Sequence, residues 1–86
     1  MTVVLHRQFE KQFKKLPIKI QNQFRERLML LIDNPEHPLL HVHKLSGEKI
    51  PCESMNVNAD YRALFIRSKV QITFYEIGTH SELYKK

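Results

Sequence analysis

The chain has 86 residues, 42% of them apolar and 27% charged, and its 14 Lys and Arg against 9 Asp and Glu give a net charge of +5. So short a chain buries only roughly 60–65% of its unfolded surface, which allows one core and one domain, residues 1–86. The single Cys52 excludes an internal disulfide, no apolar run is long enough to span a bilayer, and "MTVVLHRQFEK" lacks the order of a signal peptide, so a cytoplasmic protein with no membrane association is expected.

"TVVL" at 2–5 is a short β-branched stretch and predicts a strand. Leu5, Phe9, Phe13 and Leu16 recur at spacings of four, four and three, one face of a helix. Arg7, Lys11, Lys14 and Lys15 fall on the opposite face. Pro17 stops this helix, because the residue before a proline is pushed out of the α region, and is acceptable in the first turn of the next. Ile20, Phe24, Leu28, Leu31 and Ile32 stripe that second helix, which "DNP" at 33–35 ends. From Glu36 to Glu53 the period is lost, and Pro35, Pro38, Pro51 and Gly47 predict a long irregular connection with one short extended piece. Three strands follow, near 53–57, 61–67 and 70–77; Val70, Ile72 and Phe74 alternate as one buried face should, and Ser68–Lys69 leaves hairpin length between the last two. For 61–67 the buried face is not readable. The order β-α-α-β-β-β predicts an α+β domain in which an antiparallel sheet is backed on one face by the N-terminal helical hairpin, leaving the other face partly open.

Polar candidates gather in the second half: His37, His41, His43 and Lys44 in the connection, Asp60 and Arg62 at a strand start, and His80, Ser81 and Tyr84 at the end. Antiparallel pairing of the last two strands brings Asp60 and Arg62 beside Gly78–His80. His37, His41 and His43 have the residue type for zinc, but prolines interrupt the segment and no cysteine or carboxylate sits at ligand spacing, so no metal or other cofactor is called for. Ser46 and Ser81 lack a Gly-x-Ser-x-Gly setting, and nothing beside Cys52 marks its thiolate as stabilised. Cleavage of an RNA phosphodiester suits the inventory better: histidine serves either proton step near neutral pH, arginine offers fixed donors to phosphate oxygens, and a carboxylate orients an imidazole or acts as base. The same residues also suit a solvated basic surface.

The segments "FEKQFKKLP", "NPEHPLLHVHKLSGE", "VNADYRALF" and "IGTHSELY", in this order, resemble the RelE/ParE superfamily of bacterial toxins in its RelE- and YafQ-like branch, from about Leu5 to Tyr84. The resemblance implies a RelE-like fold and a ribosome-dependent messenger-RNA endonuclease, the toxin of a type II toxin–antitoxin pair, with a cognate antitoxin, the ribosome and mRNA as partners in a hetero-oligomeric system. It also implies catalytic positions at His43, Asp60, Arg62, His80 and Tyr84, with His80 as general acid or base, presented because Gly78 lets the backbone turn. Arg7, Lys11, Lys14, Lys15 and Lys44 become candidates for gripping ribosomal RNA by charge. Asn56 stands where YafQ-like members have a further histidine, and Glu53 and Met55 where RelE-like members have lysines. Two other readings therefore stay open: a ParE-like gyrase inhibitor of the same fold, and a non-cleaving interaction module.

Overall fold

The structure is a computed structural model and describes residues 1–49 and 51–84. Its elements are β1 (Thr2–Leu5), α1 (Arg7–Lys14), α2 (Ile18–Asp33), β2 (His43–Lys44), β3 (Glu53–Asn56), β4 (Tyr61–Arg67), β5 (Gln71–Thr79) and α3 (His80–Tyr84), with 3-10 turns at Pro38–Leu40 and Gly47–Lys49. One five-stranded sheet has the order β1-β5-β4-β3-β2. The α+β class and the helical hairpin on one sheet face are as expected. The sheet is mixed, however: β2 to β5 pair antiparallel, while β1 lies parallel to β5. Parallel neighbours need a long crossover, and here α1, α2 and the other three strands all lie between β1 and β5.

His6 starts α1 by accepting the Gln8 amide on Nδ1 at 3.2 Å. At the corner between the helices, Gln21 Nε2 donates to the carbonyl of Phe13, which also accepts the Leu16 amide, and to that of Leu16, near the end of α1 where carbonyls lose their helical partners. Pro17, extended at ψ 148°, sits at the N-cap of α2. All five phenylalanines join the two layers. Phe74 of β5 has ring centroids 5.6 Å from Phe9 of α1, 5.0 Å from Phe24 of α2 and 5.4 Å from Phe65 of β4, and Phe13 packs on Phe9 and Phe24. Phe9, Phe65 and Phe74 are fully buried, each worth roughly 1.5–3 kcal/mol of transfer free energy. Where β1 has ended, Gln12 Oε1 accepts the Ile77 amide at 2.8 Å, a donor on the side of β5 that has lost its strand partner.

Two local expectations fail. Leu5 belongs to β1 and is partly exposed instead of extending the α1 stripe, because His6 is the cap. Val70 is 71% exposed in the β4–β5 turn, where Ser68 accepts the amides of Val70 and Gln71 on its hydroxyl, so β5 begins at Gln71. The unread faces of β4 now separate. Ala63 and Phe65 join the core under the helices, while Leu64 is equally buried but lies outside that cluster. Ladder partners share a face, so Leu64 groups with Ser54 and Glu76, and Lys49 reaches over to Glu76 at 2.8 Å. The expected extended piece of the connection is β2, paired with β3. The C-terminal α3 was not expected as a helix.

Candidate active site

The sheet face away from the α1–α2 hairpin carries a cleft of about 410 Å³ lined by His41, His43, Leu45, Arg62, His80 and Tyr84. It therefore gathers His43, Arg62, His80 and Tyr84 from the end of the connection, the start of β4 and α3. In the ladder His43 lies opposite Ser54, and Arg62 lies between Asn56 and Gly78.

His43 is exposed and held by its own turn. The preceding His41 is left-handed at φ 45°, uncommon outside glycine, and its carbonyl lies 3.0 Å from His43 Nδ1. A carbonyl only accepts, so this contact is a hydrogen bond when Nδ1 carries the proton. In the neutral imidazole Nε2 is then the free acceptor.

Arg62 is half-buried. Its Nη1 donates to the carbonyls of Asn58, Ala59 and Tyr61 at 2.9, 3.1 and 3.1 Å. Among the described residues its Nε and Nη2 make no hydrogen bond and no carboxylate pairs with it. Its seat is built by Asn58, whose Oδ1 accepts the amides of Asp60 and Tyr61 at 2.8 Å and whose Nδ2 donates to Gln23 of α2 at 2.7 Å. Such an Asx turn is what "NADY" encodes, and sequence reasoning passed over Asn58.

His80 opens α3, its amide donating to the Asp60 carbonyl at 3.1 Å. One helical turn later Tyr84 packs on it, ring centroids 4.6 Å apart. Gly78 does not serve this site as expected. It carries no positive φ, unlike Gly47, and sits buried within β5. What it provides is room: a Cβ there would meet Glu82 Oε1 at 3.0 Å and both Glu82 Cβ and Leu83 Cδ2 at 3.5 Å. Glu82 accepts the Thr79 amide on Oε1 at 2.7 Å, and its own amide donates to Thr79 Oγ1 at 3.2 Å. The hydrogen bond from the Thr79 backbone, then that from its side chain, hold the Glu82 carboxyl below the usual carboxylate range. The ionised acceptor is thus in place at neutral pH, and its contribution fades only as acid protonates Glu82.

The remaining candidates lie elsewhere. Asp60 enters the site through its backbone carbonyl; its side chain is exposed and does not line the cleft. Lys44 borders a neighbouring hollow with His37, Glu53 and Arg67. Arg7 and Lys11 line a separate groove with His6 and Gln8, and Lys14 and Lys15 are exposed near the end of α1, an element on the helix-covered side. Strand alternation also sorts the departures from the family pattern. Met55 is buried in the core, so Glu53, two residues away, shares the helix side, where Arg67 holds it through bonds of 2.9 and 3.2 Å. Asn56 is on the cleft side, its Oδ1 buried and without a partner among the described residues. There, too, no group of three His, Cys, Asp or Glu side chains is placed to hold a metal ion, and His37 Nδ1 instead accepts the Leu39 amide. Burial, then the Glu76 charge, push the Cys52 thiol up, against the opposing pull of Lys49.

Solved structures with the same architecture include toxins. YafQ from E. coli strain BL21(DE3) superposes with a TM-score of 0.82 at 21% identity, covering 95% of this chain and 96% of that one. The chain has the fold of these toxins. In the E. coli DinJ–YafQ toxin–antitoxin complex the match has a TM-score of 0.78 at 21% identity, over 95% of this chain and 94% of that one. In the YoeB–YefM complex from Staphylococcus aureus the TM-score is 0.77 at 15% identity, over 93% and 97%. The RelE-like fold that the sequence resemblance implies is the fold observed. No family model and no curated protein matches the chain by sequence.

Proposed function

We propose that the chain is the toxin of a type II toxin–antitoxin pair and cuts messenger RNA on the ribosome. The observation that carries the reading is the single cleft shared by His43, Arg62, His80 and Tyr84; the likeness to YafQ and YoeB, solved with DinJ and YefM, supports an antitoxin partner. His43 Nε2 takes the proton of a 2′-hydroxyl as that oxygen attacks the adjacent phosphorus. Arg62 directs Nε and Nη2 at the non-bridging oxygens, where negative charge builds. The bond to the 5′-oxygen breaks, and His80, protonated and backed by Tyr84, supplies its proton. The products are a 2′,3′-cyclic phosphate and a 5′-hydroxyl, and the cleft's own side chains cover every proton. The exposed cations Arg7, Lys11, Lys14, Lys15 and Lys44 add attraction to ribosomal RNA without sequence specificity.

The test is purified protein added to ribosomes programmed with a defined mRNA. Codon-phased cuts bearing cyclic-phosphate ends, lost in His80→Ala and strongly reduced in Arg62→Ala, are the expected result. Intact mRNA with inhibited DNA gyrase would overturn it in favour of a gyrase-directed toxin.

A further inference from the structure

Helix α3 is five residues long, and isolated helices so short do not persist in water. Yet it carries two of the cleft's functional side chains. Three features pin it: Leu83 is buried, the His80 amide is bound by Asp60, and Thr79 and Glu82 bond each other reciprocally. The third is a capping box, Thr79 at the N-cap and Glu82 at the third helical position, each satisfying the other's amide. Leu83 fixes where the helix packs, whereas the box fixes which residue begins it. Beginning at His80 puts His80 and Tyr84 one turn apart on one side, their rings in contact.

We propose that Thr79 and Glu82 are positioning residues for the cleft, their reciprocal hydrogen bonds starting α3 at His80 and holding the His80–Tyr84 pair toward the RNA. The missing Cβ at Gly78 is part of the device, because it is the space into which the Glu82 carboxylate folds back. Neither residue lines the cleft, so both act through His80. The functional side of this proposal rests on the nuclease reading; the structural side does not.

The experiment compares Glu82→Ala, Glu82→Gln, Thr79→Val and Thr79→Ser with the wild-type chain. Proton NMR reads the ring contact between His80 and Tyr84 and the exchange protection of the Thr79 amide, and steady-state cleavage on programmed ribosomes reads kcat and KM. Losing one capping partner corresponds to roughly a fivefold to tenfold change in the ordered population. Glu82→Ala and Thr79→Val should therefore lose the ring contact and lower kcat by about that factor, with KM within about twofold. Glu82→Gln and Thr79→Ser, which keep an acceptor, should restore both. An unchanged ring contact and kcat in Glu82→Ala would overturn the proposal. So would a Glu82→Gln variant as impaired as Glu82→Ala, since charge rather than capping would then be at work. If the wild type cuts no RNA while the ring contact follows the capping variants, α3 positioning stands and the nuclease reading falls.

Discussion

Gly78→Ala perturbs the molecule at the point where sheet and site meet. The backbone tolerates alanine, since Gly78 does not occupy the left-handed region. An alanine in a strand interior is worth roughly 0.5–1 kcal/mol over glycine from chain entropy alone. Against this, the new methyl would lie 3.0 Å from Glu82 Oε1, so the carboxylate must give by a few tenths of an ångström, which loosens its hold on the Thr79 amide. Losing that cap entirely would cost about 1 kcal/mol, the upper bound of the effect. The two terms nearly cancel, so the thermal midpoint should move by no more than about 4–8 °C in either direction. Cleavage should still fall, at most about fivefold to tenfold, as α3 loosens. Thermal melts, Thr79 amide exchange and single-turnover cleavage read the three quantities. In a Glu82→Ala background the same substitution should have no further effect on cleavage. Wild-type cleavage and Thr79 protection in Gly78→Ala would refute the reasoning, as would a midpoint drop well beyond that range, which would mean that the methyl strikes something unable to move.

Phe74→Ala removes the ring on which Phe9, Phe24 and Phe65 meet. It should cost about 3–5 kcal/mol, much of the stability of roughly 0.05–0.15 kcal/mol per residue available to a domain, as urea titration would show. Glu53→Gln breaks the Arg67 pair on the helix side; it should cost less than about 1 kcal/mol in a denaturant midpoint and leave cleavage unchanged. Asp60→Asn should keep cleavage within about threefold in the ribosome assay, because the site uses the backbone carbonyl of Asp60. Cys52 should alkylate more slowly than a free cysteine at pH 8, and Glu76→Gln should speed it: removing that carboxylate lowers the thiol pKa and leaves Lys49 favouring the thiolate.

The helices were legible because their stripes repeat over many residues and Pro17 and "DNP" punctuate them. What pairs with what was less so. Nothing in "TVVL" states that its partner is β5 or that the two run parallel, since strand direction is decided by the whole path of the chain. Three successive buried residues, Ala63 to Phe65, hide the period of β4 because both faces are covered there. Val70 shows the converse error: an apolar residue in step with its strand, set outside it by a serine-anchored turn. In the site, residue types and hairpin geometry suffice to bring Arg62 near His80, but the approach of His43 depends on the two-residue β2. The box at Thr79 and Glu82 is written plainly in "THSE". It went unread because a five-residue helix shows no periodicity to draw attention to its cap.

The most direct measurement is a double-mutant cycle on His43→Ala and His80→Ala, using single-turnover cleavage on programmed ribosomes. If both imidazoles act on one phosphate, the double variant should be little slower than the slower single variant, because either loss disables the same proton-transfer sequence. Rate losses that multiply independently, or a single variant that cleaves at the wild-type rate, would contradict a shared reaction centre.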